Sequence, residues 1–102
     1  MKICLFLNFP GRKRFYAWTT LPARPPLHTF MVFPTKHSEV KGFLSAYVTE
    51  TTMYLGLIPA HDYIVVDLQP YFTIDIETFL RDQEQVGRFT WIRDDQIDPA
   101  SN

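Results

Sequence analysis

Cysteine is almost missing from this sequence: Cys4 stands alone among 102 residues. An intrachain disulfide is therefore impossible, and a small secreted domain stapled by disulfides is excluded, which predicts a reducing, cytoplasmic setting. Glycine is scarce too. None of Gly11, Gly42, Gly56 and Gly87 falls into a G-x-G-x-x-G or phosphate-loop spacing, so nothing points to nucleotide binding. Long apolar runs are also lacking. The opening run Ile3 to Leu7 stops at Asn8 and is followed by Arg12, Lys13 and Arg14, well short of a signal-peptide core or of the ~20 residues needed to cross a bilayer. No membrane partner is expected. The three histidines, His28, His37 and His61, have no H-x-x-x-H spacing, and with Cys4 and Asp62 they make no recognisable ligand set, so no metal or cofactor is expected. Ser38, Ser45 and Ser101 lie outside any G-x-S-x-G turn, and Cys4 sits inside an apolar run where a thiol is inert. With no catalytic constellation, the expectation is that the protein is not an enzyme.

What is present is apolar, aromatic and polarised in charge. At 46% hydrophobic and 16% aromatic, the chain has the material for one core, and most of the rings are expected to sit in it, with some at a surface used for binding. Net charge is −1, but the halves differ. Residues 1–51 carry Lys2, Arg12, Lys13, Arg14, Arg24, Lys36 and Lys41 against Glu39 and Glu50. Residues 52–102 carry Arg81, Arg88 and Arg93 against nine carboxylates. Such separation can steer a charged partner, or be neutralised within the fold or across a homodimer.

The most legible stretch is Tyr63 to Gly87. Ile64, Val66 and Leu68 alternate with Tyr63, Val65 and Asp67, the period of two of a strand with one buried face. From Ile76 the apolar positions move to steps of three and four through Phe79, Leu80, Gln83 and Val86, which predicts a helix capped by Asp75 or Thr73 and ended by Gly87. Earlier, Ile3–Phe9 predicts a strand covered on both faces, and Phe15–Leu21 its hairpin return. Pro22–Pro26 predicts a stiff loop, since the P-x-x-P order lies between strand candidates, and Thr29–Phe33 predicts a third strand. Val40, Leu44, Tyr47, Val48 and Thr51 predict a further helix capped by Ser38 or Thr35. Met53–Ile58 then reads as a strand leading into the Tyr63 run, Tyr71–Ile74 as an optional short one, and Arg88–Arg93 as the last, with Phe89 and Trp91 on one face. The expected fold is α+β: a single domain over 1–93, a mixed or mainly antiparallel sheet of five or six strands with two helices on one face, and an acidic, flexible tail over 94–102.

Two motifs carry candidate chemistry. FTIDIETF, residues 72–79, resembles the first acidic motif of the DEDD family of 3′–5′ exonucleases, where a hydrophobic strand ends in D-x-E-T and both carboxylates hold catalytic divalent metals. Over these eight residues the resemblance implies Asp75 and Glu77 as ligands of a metal-dependent nuclease. The later acidic motifs of that family have no counterpart in Asp82, Asp94, Asp95 or Asp98. A helix start explains the same two residues, Asp75 as cap and Glu77 as an acid at the positive end. The second motif is basic and aromatic: Arg12, Lys13 and Arg14 beside Tyr16 and Trp18 combine cations for phosphate with rings on which bases stack, the pattern of a nucleic-acid-binding module. A cationic hairpin tip that keeps the protein soluble and blocks edge pairing is the favoured explanation of the same residues.

The reading that needs neither motif is a small protein that binds another macromolecule. Short, aromatic-rich, charge-polarised chains of this sort are similar in type to inhibitor, immunity and anti-defence proteins of bacteria and phages. For that reading the expected surface places a ring among carboxylates: Trp91 with Asp94, Asp95 and Asp98.

Overall fold

A computed structural model describes residues 1–11, 13–36 and 44–94. Chain order gives strands β1 (Lys2–Phe9), β2 (Lys13–Thr20), β3 (Phe30–Phe33), β4 (Leu44–Tyr54) and β5 (Tyr63–Pro70). Helix α1 (Ile76–Val86) and a final short strand β6 (Ile92–Arg93) follow. The six strands form one mixed sheet in the order β3-β4-β5-β1-β2-β6. Only β1 and β5 run parallel; β1–β2, β2–β6, β3–β4 and β4–β5 are antiparallel.

The sheet is α+β because α1 covers one face of it. Alternation sends Ile3, Leu5, Leu7 and Phe9 of β1 to the same side as Phe15 and Ala17 of β2 and Ile64, Val66 and Leu68 of β5, all buried. Phe79 of α1 is fully buried against them, with Ile76 and Leu80 packed alongside. The expectation that most rings sit in the core is not met: of the fifteen described Phe, Tyr and Trp rings, Phe9, Phe15, Phe33, Phe79 and Phe89 are core and Phe72 and Trp91 pack against it, with Phe79 within 5.9 Å of Phe9 and Phe33 edge-on to Phe89 at 5.7 Å. The helix begins and ends as its sequence predicts. Asp75 is the N-cap, its carboxylate accepting the Thr78 backbone N–H at 2.8 Å, and Gly87 ends the helix at φ 73°. The inward stripe also carries Asp82 and Gln83, both buried. Asp82 accepts from the Thr35 hydroxyl at 2.8 Å and the Lys36 backbone N–H at 2.9 Å, and Gln83 donates to the Pro34 carbonyl at 2.9 Å, so α1 pins the segment after β3.

Besides strand Ile3–Phe9, expected to be covered on both faces but with Phe6 and Asn8 only partly buried on the side away from α1, three expectations need correction. The helix expected through Leu44, Tyr47, Val48 and Thr51 is strand β4, and among the described residues α1 is the sole α-helix; Ser38 and Val40 lie outside the described residues. The cause is a β-bulge. Val48 faces Leu68 but Glu50 faces Asp67, so Thr49 is an extra residue that shifts the strand's phase by one. Before it Leu44, Ala46 and Val48 point into the core; after it Thr51 pairs with Val66. The sequence distances 44, 48, 51 therefore imitate helical steps. Second, Met53–Ile58 is no separate strand: β4 runs through Tyr54, and 55–62 is the loop of the β4–β5 hairpin. Third, Tyr71–Ile74 is not strand and the last strand is only Ile92–Arg93. Phe89 and Trp91 come before it and reach the core from irregular chain, where burial rather than ladder pairing holds them. Of the acidic tail, only Asp94 is described.

Candidate binding face

The face of the sheet opposite α1 has no described element over it. Its side chains are the other half of each alternation: Phe6 of β1, Arg14, Tyr16 and Trp18 of β2, Glu50, Thr52 and Tyr54 of β4, and Tyr63, Val65 and Asp67 of β5. With Cys4 and Asp94 they line a cleft of about 560 Å³, within the ordinary range for a binding site.

Register explains its shape. Cys4 pairs with Val65 on one side and Trp18 on the other, and the buried Cys4 and Val65 form the floor. One wall is a file of rings: Tyr54 stacks on Tyr63 at 5.1 Å with planes 8° apart, and Trp18 meets Tyr63 edge-on at 5.3 Å. Opposite stands a polar row built on Phe6, which is partnered by Asp67 and Tyr16. The Arg14 guanidinium lies 3.9 Å from the centre of the Phe6 ring and donates to Asp67 Oδ1 at 3.0 Å. Asn8 adds a longer bond to the same oxygen at 3.4 Å.

The electrostatics follow from the same pairing. Glu50 and Asp67 are direct cross-strand partners, and like charges so placed repel. Arg14 answers Asp67, while Glu50 is exposed. Among the described residues the lining thus holds one cation, Arg14, and three carboxylates, Glu50, Asp67 and Asp94. Lys2 adds a second cation at the rim, with its ammonium 4.7 Å from the centre of the Trp18 ring. On this face the protein already seats an ammonium on one ring and a guanidinium on another. Burial pushes the Cys4 thiol up to about 11, with Arg14 pulling the other way and Asp94 and Asp67 adding to the rise, so the floor is an inert neutral thiol.

The residues singled out in the sequence separate. Trp91 lies on the α1 side, partly buried, with Phe33, Phe79 and Phe89 at 5.6, 5.7 and 5.8 Å. Asp94 lies on the other side at the cleft, its backbone N–H bonded to the Arg14 carbonyl at 2.9 Å. Trp91 and Asp94 thus serve opposite faces, and Asp95 and Asp98 lie outside the described residues. Of the basic and aromatic set, Arg14, Tyr16 and Trp18 line the cleft, Lys13 is exposed opposite Phe9 and so belongs to the α1 side, and Arg12 is outside the described residues. Asp75 is engaged as a cap, and Thr78, through backbone N–H and hydroxyl, holds its carboxyl below the usual carboxylate range. Glu77 is exposed. His28 shares a 2.7 Å hydrogen bond with the Tyr47 hydroxyl, and among the described residues no three His, Cys, Asp or Glu side chains gather as a metal would require. Phe6, Glu50, Tyr54, Tyr63 and Asp67 were not singled out from sequence; the outward register of Tyr63 and Asp67 was their only signal.

Compared with protein-family models, curated proteins and solved structures, the chain matches none.

Proposed function

We propose that this is a protein-binding module whose open sheet face receives a cationic segment of a partner, blocking or positioning that partner as inhibitor and immunity proteins do. The carrying observation is the lining of the cleft by described residues: five aromatic side chains, Phe6, Tyr16, Trp18, Tyr54 and Tyr63, together with three carboxylates and one internal guanidinium. Aromatic faces attract lysine and arginine heads, and carboxylates that face each other across strands gain from a cation brought between them. Large rings also bury area at little entropic cost, as interface anchors do.

The rival is single-stranded nucleic acid stacked on Tyr16, Trp18 and Tyr63. Rings on an open sheet suit bases, and Lys2 and Arg14 suit phosphates. Charge favours the protein partner. A phosphate chain crossing from β2 to β4 meets Asp94, Asp67 and Glu50, and Arg14 is already engaged by Asp67.

Fluorescence separates the two readings. In a Trp91→Phe background, Trp18 is the only indole, and titration with a hexa-arginine peptide should change its emission saturably. Glu50→Gln should weaken that binding several-fold, while oligothymidylate should leave the emission unchanged. Saturable oligothymidylate binding that falls steeply with salt, with no response to the peptide, would replace this reading with the nucleic-acid one.

A further inference from the structure

We infer that the cationic segment which the function proposed above assigns to the cleft binds as an extended strand, paired with the open edge of β4 over residues 50–54. β4 has 11 residues and β3 only 4, and β3 pairs with β4 from Leu44 to Tyr47. One further pair of backbone bonds ends the contact: the His28 N–H donates to the Val48 carbonyl and the Val48 N–H to the Thr29 carbonyl, both at 2.9 Å. The sequence stops β3 there. His28 turns the chain at φ 66°, and Pro25 and Pro26 before it have no N–H with which to extend a ladder. Past Val48, β4 is therefore a sheet edge among the described residues.

Backbone direction shows what this edge offers. Within one strand the face a side chain takes fixes the side to which its own N–H and C=O point, because every residue has the same hand. Val48 is buried in the core and turns both groups towards β3. After the bulge the inward residues are Thr51 and Met53, which pair with the core residues Val66 and Ile64, so their N–H and C=O groups point to that same side, where β3 no longer runs. Free donors and acceptors in this alternation select extended backbone. The stretch also lacks the devices that blunt an edge: it holds no proline, and no Lys or Arg lies between Lys41 and Arg81.

Charge and continuity with the cleft select which strand. Glu50, Thr52 and Tyr54 alternate with Thr51 and Met53 and line the cleft, so a strand added here lengthens the cleft wall. Of the carboxylates described there, Glu50 is the exposed one, whereas Asp67 is held by Arg14 at 3.0 Å. A side chain directly opposite Glu50 on an added strand has its Cβ within about 5.5 Å, and opposite charges so placed attract. Arginine suits both ends of this row, pairing with Glu50 and stacking on the Tyr54 ring. The occupant is thus an extended segment of a partner protein with basic residues, arginine above all, at alternate positions.

Calorimetric titration of the full chain with an alternating arginine–valine hexapeptide tests this, beside two copies of the peptide N-methylated at every valine or at every arginine. In an added strand one alternate set of amides faces β4 and the other faces solvent. Methylating one set should therefore cost about tenfold in affinity and methylating the other little, at unchanged charge. Met53→Pro removes an edge donor that β5 does not use, so it should keep its melting temperature and weaken the unmethylated peptide several-fold. Two methylated peptides that behave alike, whether both bind or neither does, would overturn the inference while hexa-arginine binding leaves the reading of the cleft in place. Failure of every peptide, hexa-arginine included, would remove both. A wild type that dimerises without peptide, and no longer does so as Met53→Pro, would put a second copy on the edge and overturn the partner segment.

Discussion

Replacing each tryptophan in turn measures how the two faces of the sheet divide their work. Trp91→Ala removes a large ring from a cluster in which Phe33, Phe79 and Phe89 each lie within 5.8 Å. Truncating a buried aromatic costs about 3 to 5 kcal/mol, and because Trp91 is only partly buried the lower figure, about 3 kcal/mol, applies. For a domain of this size each kcal/mol lowers the melting temperature by about 4 to 8 °C, so the loss is about 12 to 24 °C. Trp18→Ala acts on the open face. The ring is 45% exposed and contacts Tyr63 and the Lys2 ammonium. Losing one edge-on pair and one exposed cation–π contact costs about 1 kcal/mol. Thermal and urea melts followed by circular dichroism give both values. Hexa-arginine titration, read by calorimetry, should then fail for Trp18→Ala and persist for Trp91→Ala at low temperature. The assignment of faces is refuted if Trp91→Ala melts like the wild type, or if it abolishes peptide binding while still folded.

The two buried or capping carboxylates of α1, Asp75 and Asp82, give the remaining expectations. Asp75→Ala should lower thermal stability, whereas Asp75→Asn, which keeps an acceptor for the Thr78 N–H, should retain most of it; divalent metal should change neither result. The folded carboxyl of Asp75 lies below its ordinary 3.8, so its contribution is fully present above that pH and is lost as pH falls through the lower folded value; acid melts of wild type and Asp75→Asn should converge there. Asp82→Ala should cost about 2 to 3 kcal/mol in a urea melt, because the Thr35 hydroxyl and Lys36 N–H lose a buried acceptor.

Much of the fold was legible because period decides it. Tyr63–Leu68 and Ile76–Gly87 carry uninterrupted patterns with caps, and both form as read. The Leu44–Tyr54 strand was not legible, since the extra residue Thr49 breaks its period of two and leaves 44, 48 and 51 at helical distances. Asp82 was unreadable for a different reason: its burial depends on Thr35 and Lys36, which are remote in sequence. The open face was half visible. Tyr16 and Trp18 stood out beside basic residues. Their companions Tyr54, Tyr63 and Glu50 join them only because the sheet order places β4, β5, β1 and β2 side by side, and the sequence does not display that order. Ile3–Phe9 read as buried on both sides, yet Phe6 looks outward with Arg14 over its ring.

Amide chemical-shift mapping of the ¹⁵N-labelled chain during hexa-arginine titration tests the central claim most directly. The account predicts saturable shifts concentrated at Phe6, Tyr16, Trp18, Glu50, Tyr54, Tyr63 and Asp67, with α1 and the Phe89–Trp91 segment unmoved. Shifts centred on α1, or none at concentrations where unrelated acidic proteins bind the same peptide, would contradict it.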